Sequence, residues 1–148
     1  MAKRPEPVRK SVKDVLDDIA AGHREAAIIG PEAALKYLDR TFESQASLPN
    51  GVKCVAYDLM ADDCAQLARW ERCAEAADKV LALLPELEAA TGHGYRAALE
   101  DLRAFERGIQ AHSELGQFDR ALAICDQAVA LGLGAHFEAK RDSLDWAR

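Results

Sequence analysis

The sequence predicts an all-α protein of about seven helices, and three observations carry that prediction. Alanine occurs 29 times in 148 residues; it has the best helix propensity and a side chain small enough to let helices approach closely. Aromatic residues make up only 6% of the chain and β-branched residues are scarce, so strands are poorly supplied. Four of the five prolines (Pro5, Pro7, Pro49 and Pro85) fall in tails or breaks, and the fifth, Pro31, follows Gly30, where it suits a first helical turn.

Residues 1–10 (MAKRPEPVRK) carry charge and proline but little apolar content, and read as a flexible arm ahead of a single helical domain over 11–148. Ser11 opens the first helix as an N-cap, with Asp14 three residues on. Val15, Leu16, Ile19, Ala26 and Ile29 continue it at helical spacing, and Gly30 ends it. A second helix starts at Pro31 and carries Ala34, Leu35, Leu38 and Phe42. Pro49-Asn50-Gly51 closes a loop that begins at Ala46.

The third helix covers about 52–68, through Val55, Tyr57, Met60, Ala61, Cys64 and Leu67. A fourth covers about 70–84, through Cys73, Ala77, Val80, Leu81 and Leu84, and Pro85 stops it. Thr91-Gly92-His93-Gly94 is the clearest interior break. A long fifth helix is expected over about 95–115, a sixth over about 118–131, and a short last one from about 135, with Phe137 and Leu144 one heptad apart and Trp146 nearby. Short helices joined by tight turns favour antiparallel neighbours.

The formal charge of −6 is unevenly spread: Lys3, Arg4, Arg9, Lys10 and Lys13 against Glu6 leave residues 1–13 at +4 and the rest at −10. An acidic body with a short basic arm makes nucleic acid an improbable partner, since dedicated binders show a basic stripe over the domain. No apolar run approaches the ~18 residues of a membrane span, and no signal peptide is visible, so a cytoplasmic location is expected. Cys54, Cys64, Cys73 and Cys125 form no CxxC and no zinc pattern with histidine. Each sits where a small hydrophobe would serve, which points to buried free thiols; a Cys64–Cys73 disulfide would require their helices to pack together.

The chain also repeats itself. Residues 54–85 laid over 102–133 place Leu67 on Leu115, Trp70 on Phe118, Arg72 on Arg120, Cys73 on Ala121, Asp78 on Asp126 and Leu83 on Leu131, an offset of 48. The segment with Gly116, Phe118, Ala121 and Ala128, and Leu133 at the usual proline, resembles a tetratricopeptide repeat (TPR). The earlier unit offers Trp70, Cys73, Val80 and Pro85, with Ala68 in place of the turn glycine. A weaker copy runs through Gly30, Ala34, Tyr37 and Leu38. Ile109 and His112 depart from the pattern, which prefers a small residue and often Tyr there. The resemblance implies antiparallel helix pairs stacked as a short α-solenoid, with a C-terminal helix as the polar cap that solenoid ends need.

The same resemblance implies a concave groove that binds a protein or peptide partner. It would be lined by His23 in the first unit, Asp58 and Asp62 in the second, and Glu106, Gln110 and Ser113 in the third, flanked by Arg103 and Arg107. Family members that hold carboxylate termini use Lys, Asn and Arg at comparable places, whereas acids stand here. The expected partner is therefore basic or neutral. The expectation is a non-catalytic adaptor, chaperone-like or assembly module with no cofactor and no metal. His23, His93, His112 and His136 are scattered, and no HExxH, GxSxG, P-loop or Rossmann fingerprint is present. Two alternatives stay open: a self-associating structural protein, including a homodimer, and a nucleic-acid accessory protein acting through its arm.

Overall fold

The computed structural model describes residues 11–45 and 47–147. The basic arm of residues 1–10 lies outside them. All regular structure among the described residues is helical: α1 (Val12–Ile29), α2 (Pro31–Ser44), α3 (Asn50–Gln66), α4 (Trp70–Ala82), α5 (Leu84–Thr91), a 3₁₀ turn at Gly92–Gly94, α6 (Tyr95–Asp101), α7 (Ala104–Glu114), α8 (Phe118–Ala130) and α9 (Ala135–Ala147). Seven of the nine α-helices have eleven or more residues, which matches the number expected.

Local chemistry sets most boundaries. The Ser11 hydroxyl accepts the Asp14 N–H at 3.2 Å and starts α1. Pro31 occupies the first turn of α2. α3, α7 and α8 end alike, in the paired 6→1 and 5→2 bonds of a Schellman motif. Arg69 N–H reaches the Cys64 carbonyl at 2.8 Å, Gln117 N–H reaches His112 at 2.7 Å, and Leu133 N–H reaches Ala128 at 3.1 Å. The left-handed residue of each motif is Ala68, Gly116 or Gly132, at φ of 54°, 73° and 69°. Ala68 and Gly116 are 48 positions apart, so the sequence offset is also a geometric one.

Two boundaries differ from expectation. Pro85 does not merely stop α4; it lies in the first turn of α5, where its missing N–H costs nothing. The long helix expected over 95–115 is broken at Leu102, whose backbone is extended (ψ 135°), and α7 starts afresh at Ala104. The cause lies on another helix: the Asp58 carboxylate accepts the N–H groups of Arg103 (2.9 Å) and Ala104 (2.8 Å).

The long helices pack in chain order, α1 on α2, α2 on α3, α3 on α4, α4 on α7, α7 on α8 and α8 on α9. In addition α3 touches α1, α5 and α7. It is consequently buried all round, through Val52, Cys54, Ala56, Met60, Ala61 and Cys64. Arg69, just past the end of α3, pairs with Glu32 at the α1–α2 junction (3.3 Å), so α1 and α3 point the same way. Close packing of α7 depends on Gly108: a Cβ there would stand 3.0 Å from the Ile124 side chain and 3.2 Å from Ala77. The small residue at this approach is thus one position before Ile109. At the C-terminal end Phe137 is buried against Phe105, ring centroids 6.3 Å apart, while Trp146 is almost fully exposed.

All four cysteines are free and wholly buried. The Cys73 thiol donates to the Ala61 carbonyl at 3.3 Å.

Candidate binding face between α3 and α7

α3 brings three carboxylates into the interior. In a helix buried on every side, a charged group must be paired, and each of these is. Asp58 caps α7 through the two backbone N–H groups already described. Asp62 accepts from Arg103 (Nη1 to Oδ2, 2.7 Å), from Arg107 (Nε to Oδ1, 2.9 Å) and from Gln66 (Nε2 to Oδ2, 3.1 Å). Asp63 faces the other way and pairs with His23 of α1 at 2.7 Å. Burial pushes the Asp58 carboxyl up to about 6, against the Ala104 and Arg103 N–H groups and the Arg103 charge, which act to lower it.

Five of the eight residues expected to line a groove therefore meet: Asp58, Asp62, Arg103, Arg107 and Gln110, whose side-chain oxygen accepts from Arg107 Nη1 at 3.0 Å. The other three do not join them. His23 is buried with Asp63. Glu106 turns towards α9 and pairs with His136 at 3.1 Å. Ser113 donates to the Ile109 carbonyl one turn back, at 2.7 Å.

The charge on this face also differs from expectation. Asp58 and Asp62 were to present open negative charge. Each is only 6% exposed. Their charge is met from α7, and the side chains outermost here are those of Arg103 (57% exposed) and Arg107 (31%). The acids are structural because a charge in this interior is tolerated only when opposite charge and N–H groups satisfy it.

What this face does offer is an apolar pocket of about 270 Å³ between α3, α5 and α6. Val55 and Leu59 of α3, Leu87 of α5, and Ala98 and Leu102 line it, with Asp58 in its wall and Asp101 and Arg103 at its edge. Nothing in the spacing of α3 marks Val55 and Leu59 as a surface, because the wall opposite them is built by helices 30 to 45 residues away. Asp63 was also missed. The signal that could have found it is the run Asp58, Asp62, Asp63 inside an otherwise apolar helix.

Two larger clefts are more polar. One, about 530 Å³, separates α2 from α4 and exposes the Phe42–Tyr57 stack (4.8 Å) beside an Arg72–Asp39 ion pair. The other, about 470 Å³, lies where His112 meets Asp78 (3.0 Å) and Gln117 (2.7 Å). His112 itself is buried and fully used, in keeping with a packing role in place of Tyr.

Burial pushes the Cys54 and Cys73 thiols up to about 12 and raises Cys64 and Cys125 as well, so at neutral pH these sulfurs stay protonated and poorly nucleophilic. Among the described residues no group of His, Cys, Asp and Glu is arranged to hold a metal ion, and no helix is long and apolar enough to cross a membrane. The chain matches no protein-family model, and no curated protein and no solved structure is detectably similar to it.

Proposed function

We propose that this chain is a non-catalytic protein-interaction module of the reducing cytoplasm. In this reading α1/α2, α3/α4 and α7/α8 are three TPR-like pairs in a short α-solenoid, α5 and α6 are an insertion between the second and third, and α9 is the cap. The identical Schellman turns at Ala68 and Gly116, at the offset of the sequence repeat, support the pairing. Contact of α3 with both α1 and α7 supports the stacking. Four free buried thiols suit a reducing compartment.

The observation that carries the binding role is the apolar pocket on the face where α3, α6 and the start of α7 meet. A partner segment would place an apolar side chain between Val55, Leu59 and Leu102. A basic or neutral segment remains the best match, through different acids from those first expected: Glu86, Glu88 and Asp101 are exposed on α5 and α6. An adaptor, chaperone-like or assembly role would follow from such binding.

The test is affinity capture from the native host with wild type and Leu59→Asp. Losing one buried apolar anchor removes roughly 1.5–3 kcal/mol, about ten- to a hundredfold in affinity. A partner retained at full strength by a folded Leu59→Asp protein refutes the reading. Charge reversal of Asp58 and Asp62 is not a clean probe, because it would break the α3–α7 joint.

Self-association is the second reading, favoured by Ile28 and Ile29 at the end of α1, which are 84% and 83% exposed. Light scattering over a dilution series, with Ile28→Asp as control, decides it: a monomer at every concentration rules it out.

A further inference from the structure

We propose that residues 1–10 of this same chain lie over the pocket between α3, α5 and α6, their cations against Glu86, Glu88 and Asp101 and their apolar side chains against Val55, Leu59 and Leu102. The inference uses the pocket of the proposed function but not the existence of a partner, so its test runs on the purified chain alone.

Three observations meet here. The first is charge. The segment from Leu84 to Asp101 carries Glu86, Glu88, Glu100 and Asp101 against one cation, Arg96. Arg96 is already held by Glu100 (2.9 Å) and by the carbonyls of Leu131 (2.6 Å) and Gly132 (2.7 Å). Among the described residues no cation pairs with Glu86, Glu88 or Asp101. Residues 1–10 supply Lys3, Arg4, Arg9 and Lys10 against Glu6. Opposite charge held on one chain acts at the high local concentration of a tether.

The second is position. α1 and α3 run the same way and are levelled by the His23–Asp63 bond. Ser11 stands about 18 Å before His23 along α1, and Asp58 about 7.5 Å before Asp63 along α3, at 1.5 Å per residue. The pocket is therefore offset from Ser11 by about 10 Å along the axis and one helix spacing of about 8–10 Å across. Ten extended residues span up to about 33–36 Å.

The third is size and chemistry. At about 270 Å³ the pocket is smaller than most small-molecule sites, which start near ~300 Å³, and takes one or two side chains. The arm offers Pro5, Pro7 and Val8 between its two pairs of cations. An occupant of this kind covers the pocket until a competitor displaces it, which makes the arm an intramolecular guard of the binding face.

The test is paramagnetic relaxation in the full chain. Ala2→Cys takes a nitroxide label selectively, because the four native thiols are wholly buried. The expected result is at least a twofold loss of signal at the Leu59, Ala98 and Leu102 amides. That loss should disappear in 1 M NaCl, where the Debye length is about 3 Å. It should also disappear when Lys3, Arg4, Arg9 and Lys10 are changed to Glu, a variant that leaves the body intact, and in Asp101→Lys. Broadening confined to the start of α1, broadening on another face, or broadening unchanged by charge reversal overturns the proposal. Loss of the effect on tenfold dilution overturns it too, since the arm would then come from a second copy.

Discussion

Ala68 holds a left-handed conformation (φ 54°) that its counterpart Gly116 adopts without steric cost. For an L-residue other than glycine this region costs roughly 1–2 kcal/mol, partly offset by the lower chain entropy of alanine when unfolded. Ala68→Gly should accordingly stabilise the fold by about 0.5–1 kcal/mol, and Gly116→Ala should destabilise it by a similar amount. Thermal melts of the two variants would show opposite shifts of roughly 2–4 °C. Shifts of the same sign would mean that the two turns are not equivalent. Asp58 gives a pH dependence of opposite sense to the usual carboxylate. Its folded value near 6 lies above the ~3.9 of an unfolded Asp. The stability linked to its proton is full below about pH 4 and is lost as pH rises through 6. Two units correspond to about 3 kcal/mol. Asp58→Asn keeps an acceptor for the Ala104 N–H but cannot ionise. Urea unfolding at pH 4, 5, 6 and 7 should therefore show wild type losing about 3 kcal/mol relative to the variant, and parallel curves would contradict the assignment.

α3 joins its neighbours by charge as well as by apolar packing. Asp63 faces α1, and Asp58 and Asp62 face α7. Of these joints the Asp62 one is asymmetric: the acid is buried while Arg103 is more than half exposed. Removing Arg103 leaves Asp62 with Arg107 and Gln66, whereas Asp62→Asn leaves both arginines without their acid. The expected costs are about 0.5–1 kcal/mol for Arg103→Ala and about 1–3 kcal/mol for Asp62→Asn, on the scale of charge-assisted hydrogen bonds. Denaturant titration of both would test the order, and a larger loss for Arg103→Ala would reverse the account. The same helices show which parts of the fold were legible in the sequence. Starts and stops written locally, Ser11, Pro31 and Gly116, were read correctly. The break at Leu102 was not, because its cap is a side chain 45 residues away and no glycine or proline marks it. The face was half legible: the spacing found Asp58, Asp62, Arg103 and Arg107, but periodicity cannot say whether an acid on a helix points to solvent or into a joint.

Because α3 contacts five other helices and α9 packs chiefly on α8, stability should fall from the middle of the molecule to its ends. In a stacked helical array, each unit is held by its own packing and its neighbours, so terminal units open first. The two ends also differ. α1 is tied to the centre by the buried His23–Asp63 pair as well as by Ile19, both of which are nearly inaccessible. α9 contributes one buried large side chain, Phe137, and its polar contacts, Glu106–His136 and Asp126–Arg141, are exposed; exposed pairs of this kind add at most about 1 kcal/mol. Native-state amide exchange should therefore rank α9 fastest, α1 and α2 intermediate, and α3 with α4 slowest, with the α3 amides reporting global unfolding. His23→Ala removes the tie on one side only. It should speed exchange in α1 and α2 towards the rate of α9 while leaving α7 and α8 unchanged. Uniform exchange across all helices, or a His23→Ala effect that spreads equally to α8, would show instead that the helices open as one cooperative unit and that the buried acids of α3 do not divide the molecule into separable joints.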